Sequence, residues 1–440
     1  MGMIRDWISA RLGKSRAPRV AEVPRTSMPA PSPGAAGPAT SWSKAIGPSD
    51  PLLLGIVVAL IAFGVVMVFS ASAVFASQRF GDGHLFLVRQ TIYAGVAIPL
   101  MLVVSRIDYH RLRVLTYPIL GLSTLLLIYV ALGFGHSAGG AARWISVGPI
   151  HVQPAEMAKV AMILWLAYSL SKKQEAIRTF KVGILPHLLV MGLLALLCLR
   201  QPDFGSAVMI CVLTFVLLFA AGAKVGPLAT MVLGGTLLAA LLVVSSPYRM
   251  RRVEAFLDPF GHRRDAGYQI AESMIAFGSG GATGVGIGDS RQKLFFLPEA
   301  HTDFISAIVG EELGFVGIAL IVLAFALIVV RGVRVAFRAA DDYGTFLAVG
   351  MTMFVGLQAF TNLAVAMGLV PTKGLVLPFL SYGGSALLVN SAAIGVLLNV
   401  SRAREGDETA ETKNEKKEPS GARASAPVRL SGNALEGGAA

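Results

Sequence analysis

Charge is what this sequence has least of for its length. Only 15% of its 440 residues are Asp, Glu, Lys or Arg, against 54% hydrophobic ones. With a mean hydropathy of +0.66, that composition excludes an ordinary water-soluble globule. Cysteine is scarcer still. Cys198 and Cys211 are the only two, and both lie inside apolar runs, which excludes a disulfide framework and a cysteine-based zinc site. No apolar stretch follows Met1 within the first 30 residues, so no cleavable signal peptide is expected. A nucleotide loop is missing too. The glycines between 278 and 288 match neither G-x-G-x-x-G nor Gly-Lys-Ser/Thr and follow no strand pattern, so they read as tight turns or close backbone approaches. No internal repeat of the transporter kind is visible.

What is there is a succession of long uncharged runs. The run 51–72 is long enough to cross a hydrocarbon core of roughly 30 Å as a helix. Comparable runs lie at 114–132, 182–199, 204–221, 225–246, 313–330 and 343–369. Three others are interrupted: 85–104 by Arg89, 154–171 by Glu156 and Lys159, and the last, ending near Val400, by Pro378 and Gly383-Gly384. Together they predict an all-α polytopic integral membrane protein with about ten transmembrane helices over 51–400. The polar ends at 1–50 and 401–440 read as disordered cytoplasmic tails. The net charge of +12 at first admits nucleic acid as a partner as well as a membrane. Sorting the charge by side decides against nucleic acid. With both termini in the cytoplasm, 25 of the 38 basic residues fall inside and 11 outside, seven of those in one loop of 58 residues at 247–304. Short loops then obey the positive-inside rule.

Four constellations stand out against this apolar background. In the first, Ala142-Arg143-Trp144-Ile145 precedes Gln153-Pro154-Ala155-Glu156-Met157-Ala158-Lys159. Glu156 and Lys159 share a helix face at i, i+3. They read either as an ion pair locking that helix to its neighbours or as a polar site in which Glu156 positions Lys159, and Lys159 and Arg143 receive an anionic head group. The second, Arg200-Gln201-Pro202-Asp203-Phe204-Gly205-Ser206, is a tight turn whose Asp203 either caps the next helix or joins that polar site. The third runs through the long outside loop to Gln292-Lys293-Leu294-Phe295-Phe296-Leu297-Pro298-Glu299-Ala300-His301-Thr302-Asp303-Phe304-Ile305 and on to Glu311-Glu312-Leu313-Gly314. Asp303, at the mouth of a span beside His301 and Glu299, is either an N-cap or a carboxylate whose raised pKa makes it a general base. A metal site built from these three matches no helical zinc spacing. The fourth, Gly368 to Ser385, interrupts an apolar run with Pro371, Pro378 and Ser381-Tyr382-Gly383-Gly384-Ser385. Broken backbone at membrane depth is tolerated only beside protein or a watery cavity.

Taken in order, these motifs resemble those of the SEDS family of shape, elongation, division and sporulation proteins (FtsW/RodA/SpoVE), from about Pro51 to Val400. Pro371-Thr372-Lys373-Gly374-Leu375 ahead of Leu377-Pro378-Phe379 is similar to the division-associated FtsW branch rather than the rod-shape branch. Ala155 stands where a Ser is usual, a change that removes one hydroxyl and no charge. The resemblance implies a peptidoglycan glycosyltransferase that polymerises lipid II at the outer face of the cytoplasmic membrane, at the division septum, with undecaprenyl diphosphate as leaving group. It implies Asp303 as the catalytic base. It also implies Arg143, Glu156, Lys159 and Asp203 as substrate contacts, with Lys293, Glu299, His301, Ser381, Tyr382 and Ser385 as further candidates. A single-span class B penicillin-binding transpeptidase is the implied protein partner, alongside other division proteins. A divalent cation such as Mg2+ or Mn2+ is a further expectation that no motif specifies. Three alternatives stay open: a lipid II flippase, a rod-elongation polymerase and a non-catalytic scaffold that recruits through its tails.

Overall fold

The structure is a computed structural model that describes residues 47–402 apart from 139, 140, 149 and 373. Almost all of the two expected tails, and Lys373, therefore lie outside the described residues.

Apolar side chains with few breakers build helices that satisfy their own backbone, the requirement for crossing lipid. Among the described residues, seven stretches are long and apolar enough to span: α1 (Pro51–Phe80), α2 (Leu85–Arg106), the stretch Tyr109–Phe134 that contains α3 (Leu112–Tyr129), the stretch Phe180–Arg200 that contains α5 (Leu185–Arg200), α7 (Val225–Val244), α10 (Ile305–Phe337) and α11 (Asp342–Ala366). Two shorter apolar helices, α6 (Phe204–Ala220) and α12 (Gly384–Val400), join them. So does α4 (Pro154–Lys172), whose Glu156 and Lys159 make it less apolar and whose side chains are nearly all buried. These ten match the expected count. Between α7 and α10 the stretch expected as a loop folds in part, into α8 (Pro247–Leu257) and α9 (Tyr268–Gly280).

The ends of the membrane domain meet. The Asp50 N–H donates to the Ser401 hydroxyl at 3.1 Å, and the Arg402 guanidinium donates to the Gly47 carbonyl. First and last spans thus begin and end on one face, which requires an even number of crossings. Asp50 caps α1 by accepting from the Leu52 and Leu53 N–H groups and binds Arg331 of α10 at 2.7 Å. On the same face Asp341 caps α11 and accepts from Tyr109 and Arg113. Burial works against its charge, but contacts from His110 and Tyr109 and the Gly344 N–H outweigh it, holding the Asp341 carboxyl well below the usual carboxylate range. The basic residues of this face mark it as cytoplasmic.

Within the bundle α4, α11 and α12 are the deeply buried helices and α7 is the least buried, with Leu228 its only buried residue. Because lipid is as apolar as leucine, such helices associate through close packing of small residues and through polar contacts; the small and polar side chains of α4 and α11 fill that role. On the outer face lies the only sheet among the described residues, three antiparallel strands, β1 (His136–Ala138), β2 (Ala141–Val147) and β3 (Ile150–Val152), with Ser146 opposite His151. Three short strands leave too weak an alternation to be seen in an apolar sequence.

The glycine-rich loop has a structural task. At Gly314 the backbone turns to φ +62° and breaks α10, a conformation that disfavours any residue with a Cβ. The freed groups are taken up by the loop. Val285 and Gly286 N–H groups donate to the Glu311 and Glu312 carbonyls, and Phe315 and Val316 N–H groups donate to the Gly281 and Ala282 carbonyls. The Glu311 carboxylate accepts from Ser290 and from the Arg291 and Gln292 N–H groups. Glu312 binds Ser70 at 2.7 Å and Lys293 at 3.0 Å. Of these glycines, Gly280 and Gly284 lie so close to the backbone of residues 310–313 that a Cβ would not fit.

Candidate active site

Several polar elements meet at the outer face. Pro371 and Pro378 cannot continue α11, so the described residues of 367–383 run back without helix until α12 starts at Gly384. Asn362, near the outer end of α11, ties this segment to the entrance of α10. Its amide donates to the Asp303 carbonyl at 2.8 Å and to the Leu375 carbonyl at 2.6 Å, and its oxygen lies 3.3 Å from the Ser306 hydroxyl. Asp303 and Gly374 are thereby neighbours. A Cβ placed on Gly374 would stand 3.2 Å from Asp303 Oδ2 and 3.8 Å from an Arg143 nitrogen, so carboxylate and guanidinium face the same glycine.

Arg143 extends from β2 and is held in turn. Its Nε donates to the Gln201 carbonyl at 3.3 Å and its Nη2 to the Pro202 carbonyl, fixing the sheet to the turn before α6. Asp203, in that turn, accepts the Ser206 N–H at 3.0 Å as the N-cap of α6 and the Gln153 amide at 3.4 Å. The capping and polar-site expectations for Asp203 are therefore compatible: one oxygen caps while the other faces Gln153. From the other side, α8 brings Arg252, whose Nη1 donates to the Thr372 carbonyl at 3.2 Å and whose guanidinium lies over the Tyr248 ring.

Asp303 is half-buried, and its carboxylate takes no hydrogen bond among the described residues. Burial pushes its pKa up to about 7, the neighbouring Glu299 charge adds to this, and Arg143 and Arg252 partly oppose it. A carboxylate with that value is ionised part of the time near neutral pH and basic enough to take a proton, the balance a general base needs. Capping does not describe it, since no side-chain cap bond forms at the start of α10.

The other expected site residues divide by place. Glu299, at φ +56°, accepts the Thr302 hydroxyl at 2.9 Å and lies beside Asp303. His301 sits in an aromatic cluster with Phe75, Phe86 and Tyr382, and its carbonyl accepts the Tyr382 N–H at 2.9 Å. Burial lowers its pKa. Ser381 accepts the Leu377 N–H and so braces the returning segment, while Ser385 accepts the Gln153 N–H and ties the start of α12 to that of α4. Lys293 stands in the Glu312 anchor rather than beside Asp303. Glu156 and Lys159 bind each other at 2.7 Å with almost no exposure, and Glu156 also accepts from Gln358 at 2.8 Å. This geometry favours the ion-pair reading of that pair. Among the described residues no three His, Cys, Asp or Glu side chains converge as a metal site.

Three residues of the site escaped the sequence reading. Asn362 had a visible signal: with Gln358 it is one of two amides, four residues apart, in an apolar run. Arg252 was one basic residue among seven in a long loop. Gly374 carried no signal of its own.

A polytopic helical bundle with an acid–arginine site at its outer face is thus the class that the fold and site define. The family model described as cell cycle protein, FtsW/RodA/SpoVE, matches residues 51–406. A probable peptidoglycan glycosyltransferase FtsW of Geobacter sp. (strain M18) is 47% identical over 358 residues, covering 81% of this chain and 98% of that protein. The stage V sporulation protein E of Bacillus subtilis (strain 168) is 42% identical over 354 residues, covering 80% and 97%. Among solved structures, a chain of a peptidoglycan synthase complex superposes with a TM-score of 0.66 at 30% identity, covering 81% of this chain and 98% of that one. The rod shape determining protein RodA of Thermus thermophilus superposes with a TM-score of 0.60 at 29% identity over 81% and 98%. The chain belongs to the FtsW/RodA/SpoVE family.

Proposed function

We propose that the protein is a peptidoglycan glycosyltransferase that polymerises lipid II into β-1,4 glycan strands during septal wall synthesis. The observation that carries this reading is the Asp303 carboxylate, basic near neutral pH, set against Gly374 beside Arg143. Asp303 takes the proton from the acceptor sugar's 4-hydroxyl as that oxygen attacks the donor's anomeric carbon. The bond from that carbon to the diphosphate oxygen breaks, and the lipid diphosphate leaves with the electron pair. One displacement converts an α-linked donor into a β product. A positioned base contributes about 10² to 10⁴ in rate, and Arg143 stabilises charge gathering on the leaving diphosphate.

The expected divalent cation has no three-ligand site among the described residues. The 47% identity to a relative named FtsW, against 29% to RodA, supports the division branch and a septal site in the cytoplasmic membrane. The match to a chain from a synthase complex that coordinates polymerization with crosslinking supports a transpeptidase partner. The test is polymerisation of fluorescent lipid II by the purified protein, with and without that partner. Glycan strands are expected from the wild type and none from Asp303→Asn; full synthesis by the Asn variant sinks the base role.

A further inference from the structure

The proposed reaction brings two lipid-linked diphosphates to one place, because donor and acceptor each carry one, yet Arg143 stands beside only one reacting centre. A cleft of about 650 Å³ opens next to it, between α8 and α9. Tyr248, Arg251 and Arg252 of α8 line one wall, Tyr268 and Gln269 of α9 the other, and Thr372 joins it to the returning segment beside Asp303. Three features mark this cleft as built for an anion.

Among the described residues neither Arg251 nor Arg252 forms an ion pair, whereas Asp265 is the one carboxylate and His262 the one imidazole on the same lining. Arg252 is preset. Its guanidinium lies 4.7 Å from the Tyr248 ring centroid, with Nη2 donating to the Tyr248 hydroxyl and Nη1 to the Thr372 carbonyl. An ordered arginine fork beside an exposed one suits a diphosphate, since guanidinium groups donate paired hydrogen bonds to phosphate oxygens. The cleft is also the next position along the chain from the reacting centre: Arg143 faces Gly374, and Arg252 binds the carbonyl of Thr372 two residues earlier.

Resting on the polymerase reading, we propose that this cleft holds the diphosphate that is not cleaved, that of the acceptor lipid II, through Arg251 and Arg252. The leaving diphosphate then belongs to Arg143, and the acceptor's disaccharide bridges from the cleft to Asp303.

The experiment uses the full chain in neutral phosphatidylcholine nanodiscs, carrying Asp303→Asn so that bound substrate is not consumed. Binding of fluorescent lipid II is measured with Arg251→Gln, with Arg251→Gln/Arg252→Gln, and with the double Lys variant. The single change, at an exposed side chain, is expected to weaken binding several-fold without lowering the melting temperature. The double Gln change is expected to weaken it at least 10-fold, with the Lys pair recovering part. Unlabelled undecaprenyl diphosphate should compete and phosphatidylglycerol should not. Unchanged affinity in both Gln variants, or equal competition by phosphatidylglycerol, overturns the site. If Arg-dependent binding holds but wild-type protein makes no glycan, the polymerase reading fails and the binding site stands.

Discussion

The side-chain amide of Asn362 donates to the main-chain carbonyl of Asp303 at 2.8 Å while its second hydrogen reaches Leu375 at 2.6 Å. One buried amide thus sets the distance between the proposed base and the segment that carries Gly374. Two hydrogen bonds of this kind are worth about 1 kcal/mol each, and the carbonyls left behind by a truncation are desolvated. Asn362→Ala is expected to lower thermal stability by roughly 1–3 kcal/mol. It should lower lipid II turnover by about 10²-fold, because misplacing a catalytic group by an ångström is that costly. Stability and turnover measured on the same preparation check this. A variant that loses stability alone would show that Asn362 only closes the bundle.

Gly374 gives a subtler perturbation of the same geometry. A methyl group there meets Asp303 Oδ2 at 3.2 Å and the Arg143 side chain at 3.8 Å, so the carboxylate has to yield by a few tenths of an ångström. Gly374→Ala is expected to keep the fold and to reduce kcat about 10-fold, with little change in the melting temperature. Wild-type turnover in this variant would place the reacting atoms elsewhere.

The pKa of Asp303, near 7, fixes two pH dependences of known sign. As the base must be ionised, polymerisation is expected to rise with pH through about 7 and level off above it. Stability runs the other way. The folded state holds the proton more tightly than the unfolded chain, whose aspartate titrates near about 4, so stability falls as pH rises from about 4 to about 7. Asp303→Asn removes the charge that burial disfavours. It should therefore be more stable than the wild type by roughly 1–2 kcal/mol above pH 7, after allowance for solvent around a half-buried group, with the gap closing towards pH 4. Melting temperatures at pH 5 and pH 8 measure it, and a gap independent of pH would count against the raised value.

How much of this was legible without coordinates follows from the physics of each signal. Spans were readable because length and lack of charge are required of each by lipid, and sidedness because basic residues sort by face. Asp303, Arg143 and Asp203 were readable as polar groups beside apolar runs, and they do converge. Distances were not. Lys293 looked equivalent to its neighbours until the break at Gly314 placed Glu312 against it. Arg252 gained a place in the site only through the folding of α8, and as one of three arginines at 249–252 it carried no mark of its own. Asn362 was visible as an amide in an apolar run, but its partners were not, since the pairing of one side chain with two distant carbonyls leaves no local pattern.

The buried pair Glu156–Lys159 separates an architectural role from a chemical one. Both side chains are removed from solvent and bonded to each other, Lys159 lies 5.5 Å from the Phe354 ring centroid, and the second Glu156 oxygen serves Gln358. Removing one member strands a charge in a low dielectric, typically at about 3–5 kcal/mol, whereas removing both can be near neutral. Lys159→Met alone is therefore expected to destabilise strongly. Glu156→Gln/Lys159→Met keeps an acceptor for Gln358 and should recover about 2–4 kcal/mol of the loss. A double-mutant cycle on melting in detergent gives the coupling, and lipid II polymerisation by the double variant reads the rest. Recovered stability together with recovered synthesis makes the pair a brace for α4 and α11. Recovered stability with no synthesis would instead give the Lys159 ammonium a direct part in handling the diphosphate, despite its burial.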